Sequence, residues 1–140
     1  MTPAAIELVR QSWRAADTRA VVASFYATLF AADRGVETLF LGDPAALRRK
    51  FDETLSAIVE HLDEPGAVSA KVRALGARHA GYGVQPRHYA LVEDALVAAL
   101  GEQLGERFDA ATEAAWREAY AALASGMLDG EIEASIGAGP

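Results

Sequence analysis

The 140-residue sequence predicts an all-α domain. Three observations carry this. Apolar side chains recur at intervals of three and four through almost the whole chain, as one buried helix face requires. No stretch alternates with period two, so no sheet is expected. Proline follows threonine or aspartate at Thr2-Pro3 and Asp43-Pro44, which marks helix starts with proline in the first turn.

The elements follow in order. Thr2-Pro3 opens a first helix carrying Ile6, Val9 and Trp13. Asp17 or Thr18 caps a second, with Val21, Val22, Phe25, Tyr26, Leu29 and Phe30 along it; Gly35 is expected to break it. A short turn through "TLFLGDP" leads to a helix from Asp43-Pro44 with Leu47, Phe51, Leu55, Ile58, Val59 and Leu62 inward. "LDEPGA" opens the next, through Val68, Val72, Leu75 and His79, and "GYGVQP" ends it. Pro86 begins a helix with Tyr89, Val92, Leu96 and Leu100 inward, and "GEQLGERFD" is read as a connection. Asp109 caps the last helix, lined by Trp116, Tyr120, Leu123 and Met127. Residues 1–140 form one domain in this reading, with 136–140 as a frayed tail.

Composition narrows the functions. The formal net charge of −7 repels phosphate backbones and anionic lipid heads, so neither nucleic acid nor a membrane is the expected partner. Without cysteine there is no disulfide framework, thiolate nucleophile, zinc ribbon or Cys-x-x-Cys-His haem attachment. Glu7 and Arg10 interrupt the start where a signal peptide needs an apolar run, so the expected location is the cytoplasm.

The stretch "LGARHAGYGVQPRHY" holds two of the three histidines, His79 and His88. An imidazole on an apolar helix face is most often a core residue donating to a backbone carbonyl. His61, His79 and His88 lack the spacing of a protein-only metal site. The surplus of Phe25, Phe30, Phe40, Phe51, Trp116 and Tyr120 leaves a second reading open. An apolar slot with one imidazole is what a non-covalent haem requires.

"FYATLF", "ETLF", "LGARHAGYGVQPRHY" and "AAWREAY", in that order and spacing, resemble the landmarks of the globin family. The likeness runs from about Ile6 to Glu131 and is to single-domain bacterial haemoglobins and the globin half of flavohaemoglobins. It implies haem b held non-covalently, with His79 as the metal ligand. Phe40 corresponds to the phenylalanine on the haem face, and Tyr26 to the distal tyrosine that donates to a dioxygen ligand. Leu47 stands where relatives carry glutamine or histidine and cannot donate; a register shift of one turn puts Phe51 there instead. Lys50 matches a propionate-binding position, and Val84 and Tyr89 join the cofactor-binding set. Tyr89 and Glu131 correspond to a hydrogen-bonded set behind the proximal histidine, so Tyr26, Tyr89 and Glu131 are the candidate catalytic residues. Three functions follow: reversible binding of dioxygen, carbon monoxide or nitric oxide; nitric oxide dioxygenation with a separate reductase; or a haem-free globin-like signalling or interaction module. The sequence leaves the oligomeric state open.

Overall fold

A computed structural model describes residues 1–40, 42–80 and 85–137. Seven α-helices and one 3-10 turn make up the described chain, with no strand among these residues: α1 (Pro3–Ala15), α2 (Thr18–Ala32), α3 (Arg34–Glu37), α4 (Pro44–Glu60), α5 (Pro65–Ala80), α6 (Pro86–Leu104), the 3-10 turn (Gly105–Arg107) and α7 (Ala110–Gly137).

The caps explain the starts. Thr2, Asp17 and Asp43 each accept a hydrogen bond from a backbone N–H in the first turn of α1, α2 and α4. Asp109 accepts from the Thr112 N–H at 2.9 Å and caps α7. The expected break at Gly35 falls two residues earlier. Asp33 ends α2, and its carboxylate caps α3 by accepting from the Gly35 N–H at 2.9 Å, so Gly35 lies inside a helix. An aspartate that competes for backbone donors stops a helix as effectively as a glycine does. α6 likewise outruns its expected end, through Gly101 to Leu104. It stops at Gly105, whose φ of +58° only glycine adopts readily. α7 continues to Gly137, and residues 138–140 lie outside the described ones.

The core forms where α1, α2, α4, α6 and α7 meet around Val9, Trp13, Phe25, Leu29, Leu100 and Trp116. The indoles of Trp13 and Trp116 lie 5.8 Å apart, and each donates to a serine: Trp13 to Ser56 of α4 and Trp116 to Ser12 of α1. α2 crosses α6, while the most extensive contact is between α5 and α7. Glycine makes that contact possible. A methyl group on Gly76 would lie 1.9 Å from the Met127 carbonyl oxygen, and one on Gly130 would lie 2.1 Å from that of Arg73. The two backbones therefore touch, which fixes the height of α5, and of His79 on it, against α7.

A smaller cluster of Ile58, Val72, Tyr89 and Met127 joins α4, α5, α6 and α7 beneath the end of α5. Phe25 and Tyr26, adjacent on α2, are both buried, at 1% and 8% exposure. α2 is enclosed on more than one face: Phe25 stacks on Phe51 at 4.6 Å and meets Tyr26 edge-on at 5.0 Å.

Candidate functional site: an imidazole, a buried tyrosine–glutamate pair and a distal cavity

His79 lies in the last turn of α5, half-buried, with Nδ1 2.7 Å from the Leu75 carbonyl oxygen. A carbonyl only accepts, so Nδ1 carries the proton and the second lone pair sits on Nε2. This is the arrangement in which a metal-binding histidine is oriented by its backbone. A core histidine makes the same bond. Among the described residues no group of three or more His, Asp or Glu side chains could hold a metal ion. A metal at His79 would thus need a cofactor to supply its remaining ligands.

Tyr89 and Glu131 come together from α6 and α7. The Tyr89 hydroxyl and Glu131 Oε1 are both buried, and neither completes a hydrogen bond within the described protein. The phenol is pushed up to about 12, first by burial and then by the nearby Glu131 carboxylate. Tyr120 of α7 donates to the Tyr89 carbonyl at 2.6 Å and ties the two helices at this point. Two buried polar atoms left open in an apolar cluster are costly. Their juxtaposition is the kind of exception that points to a functional site.

Tyr26, Phe30, Phe40 and Leu47 line a cavity of about 100 Å³, together with Glu37 and Arg48; His79, Tyr89 and Glu131 are not among its lining residues. Phe40 meets Tyr26 edge-on at 5.4 Å, and Phe51 meets it at 5.7 Å. Leu47, rather than Phe51, lines this cavity. Phe51 is occupied by its stack on Phe25. The Tyr26 phenol is pushed up to about 12 by burial, with the Arg48 charge acting in the opposite direction. It is a proton donor at neutral pH.

The remaining cationic candidates lie outside the cavity lining. Arg49 and Lys50 are exposed on α4, as Arg48 is. Arg87 is held by Asp33, 2.7 Å away, and binds the start of α6 to the α2–α3 junction. His88 is buried, and its Nδ1 accepts from the Gln85 N–H at 2.9 Å as a helix cap. Burial, then the Arg87 charge, lowers its pKa, so the imidazole is neutral. Val84, expected among the cofactor contacts, lies outside the described residues. Sequence reading missed Arg48, because register alone does not tell which of three consecutive exposed cations borders the cavity. It also missed the Leu75 carbonyl as the acceptor for His79 Nδ1–H; its position four residues before His79 was the available signal.

The globin family model matches residues 23–127. This chain is a globin. The flavohemoprotein of Bordetella pertussis is 30% identical over 108 residues, covering 67% of this globin and 27% of the relative. That of Deinococcus radiodurans is 28% identical over 113 residues, covering 77% and 28%. This globin therefore spans roughly a quarter of those relatives' length. Among solved structures, an engineered carbene transferase from Rhodothermus marinus, provisionally assigned as a nitric oxide dioxygenase, superposes with a TM-score of 0.84. It is 30% identical, with 98% of this globin and 99% of that chain covered. No helix among the described residues is long and apolar enough to cross a membrane.

Proposed function

We propose that this globin binds haem b non-covalently through His79 Nε2 and reversibly binds dioxygen, carbon monoxide or nitric oxide on the Tyr26 side. The observation that carries this is the Nδ1–H to Leu75 bond, which fixes the tautomer that a neutral imidazole ligand needs. The donor set fits the group: one oriented imidazole, an aromatic wall from Phe30 and Phe40, and a phenol opening into a cavity of gas-ligand size, with Phe51 packed behind the phenol ring. At about 100 Å³ the cavity is well above the roughly 10–15 Å³ needed to hold one water, so a diatomic ligand fits. The cofactor, when bound, supplies an iron that takes up a diatomic ligand.

The chain's own residues do the rest. Phe40 and Leu47 exclude water, and Phe51 holds the Tyr26 ring from behind as part of the cofactor-binding set. Tyr26 donates to the more negative end of a polarised ligand. Tyr89 and Glu131 orient the proximal side, and Val84, in the segment after His79, joins the cofactor contacts. Lys50, exposed at the rim, meets a propionate. The proposed location is the cytoplasm.

The test is His79→Ala. The variant should fold and lose most of its haem, with the Soret band and the carbon monoxide spectrum of the reduced protein. Unchanged spectra would refute the ligand assignment.

A second reading is favoured by the buried Tyr89–Glu131 pair and by the likeness to the Rhodothermus marinus protein and the flavohemoproteins. In it the globin joins dioxygen and nitric oxide into nitrate, taking one electron per turnover from a separate reductase. A carboxylate behind the proximal imidazole favours the oxidised state left after each turnover. Rapid mixing of the oxygenated protein with nitric oxide, followed by re-reduction, tests this reading. Failure of every reductant to restore the starting state would eliminate it.

A further inference from the structure

One flank of α4 is tied to its neighbours by a chain of hydrogen bonds outside the site described above. The Trp13 indole N–H of α1 donates to Ser56 Oγ at 2.9 Å, and the Ser56 hydroxyl donates to Asp52 Oδ1 at 3.1 Å. The Thr18 hydroxyl, at the start of α2, donates to Asp52 Oδ2 at 2.9 Å. Both oxygens of Asp52 are thus engaged, and three helices meet through one carboxylate. Asp52 is half-buried, and among the described residues it has no ion-pairing partner. Two hydroxyls hold its charge, and a hydrogen bond constrains direction as well as distance.

The place of Asp52 on α4 gives this chain its consequence. At about 100° per residue, Asp52 lies roughly 140° around the helix from Leu47, with the buried Leu55, Ile58 and Val59 between them. Both Asp52 and Leu47 are half-buried, as the two edges of one buried face should be. Turning one edge out therefore turns the other in. A rotation of about 20° moves a side chain about 5 Å from the helix axis by roughly 2 Å. Apolar burial is non-directional and resists such a turn weakly. We propose that Asp52 is a positioning residue that pins the rotation of α4 and so sets how far Leu47 enters the distal cavity. The inference rests on the gas-binding reading for its functional meaning: a residue outside the cavity lining decides which ligand size is admitted. Without its hydroxyl donors the half-buried carboxylate is costly and turns toward water. Leu47 then moves inward and narrows the space beside Tyr26.

The chain has no cysteine, so Leu47→Cys supplies a single thiol for labelling with a soluble disulfide reagent. Thr18→Val removes one donor to Asp52 with little change of shape, and Ser56→Ala removes the other. Compared in the same state of the purified protein, each should slow labelling of Leu47→Cys severalfold, and the pair should slow it further. Asp52→Ala removes the charge that drives the turn and should not slow it. In the reduced, haem-loaded protein with Leu47 in place, Thr18→Val should weaken n-butyl isocyanide relative to carbon monoxide by about threefold or more, within what one lost hydrogen bond can shift. In a Leu47→Ala chain that change should vanish. A merely structural role would lower the melting temperature, speed labelling and leave the ratio of the two ligands alone. Faster or unchanged labelling, an unchanged ligand ratio, or a ratio that still responds in the Leu47→Ala chain would overturn the pin. A protein that takes up no haem would defeat the gas-binding reading alone, because the labelling still decides the rotation.

Discussion

Gly76→Ala adds one methyl group at the tightest crossing in the molecule. Its carbon would lie 1.9 Å from the Met127 carbonyl oxygen, with Met127 C at 2.6 Å and Cα at 2.7 Å. All three are backbone atoms of α7, so no side chain can turn aside. Ordinary contact begins near 3.4 Å, so α5 and α7 must part by about 1.5 Å at this point. Alanine's better helix propensity returns about 1 kcal/mol. Overpacking costs about 1–3 kcal/mol and more where the obstacle is rigid, so the net change is a loss of about 2 kcal/mol. For a chain of this length that lowers the melting temperature by roughly 5–10 °C. His79 lies one turn on, and the outward shift carries its imidazole along. A displacement of about 1 Å suffices to impair a positioned group. Haem retention and carbon monoxide rebinding should therefore fall together with stability. Gly66→Ala, in the same helix with nothing within 4 Å of the added carbon, is the control and should be neutral or stabilising. Melting curves of the two variants decide the matter. A Gly76→Ala protein as stable as the parent would mean that the α5–α7 contact does not set the height of His79.

Tyr26→Phe should speed oxygen dissociation tenfold to a hundredfold, on the order of 1–3 kcal/mol, while carbon monoxide affinity barely changes; flash photolysis reads both, and an unchanged oxygen off-rate would remove Tyr26 as donor. Tyr26 and Tyr89 are pushed up to about 12 and Tyr120 is raised too, by burial in each case, so their contribution to stability is complete below about pH 10 and is lost as pH rises through about 12. Denaturant midpoints across that range should fall, and Tyr89→Phe should flatten the fall. His88 is held below its ordinary value, so its contribution is complete above about pH 6.5 and shrinks as pH falls, when the unfolded chain takes the proton more readily. A glutamine at position 88 should reduce that acid slope; an identical slope would show that other groups carry it. Glu131→Gln removes the charge facing Tyr89, so the phenol should titrate lower by ultraviolet absorption, though still above about 10 because burial remains the larger cause.

The helices, and the residue types offered for the candidate site, are legible in local signals along the chain. Period, caps and prolines are local signals, and Thr2, Asp17, Asp43 and Asp109 sit where the caps form. The ordered landmarks around Tyr26, Phe40, His79 and Trp116 were enough to indicate the family, because each is a side-chain type at a fixed distance along the chain. Tertiary structure alone decided which neighbours face each other. That Phe25 and Tyr26 are both enclosed follows from helices packing on two sides of α2, which no period along one helix records. That Glu131 turns its Oε1 into the protein beside Tyr89 depends on the backbone contact of Gly76 and Gly130 with the opposite helix. Arg48 rather than Arg49 or Lys50 lines the cavity because α4 is rotated by its packing on α2, a quantity set by contacts far apart in sequence. Local propensity specifies a helix and its ends; only the summed packing of all the helices specifies its rotation and height, and the chemistry of the site depends on those two.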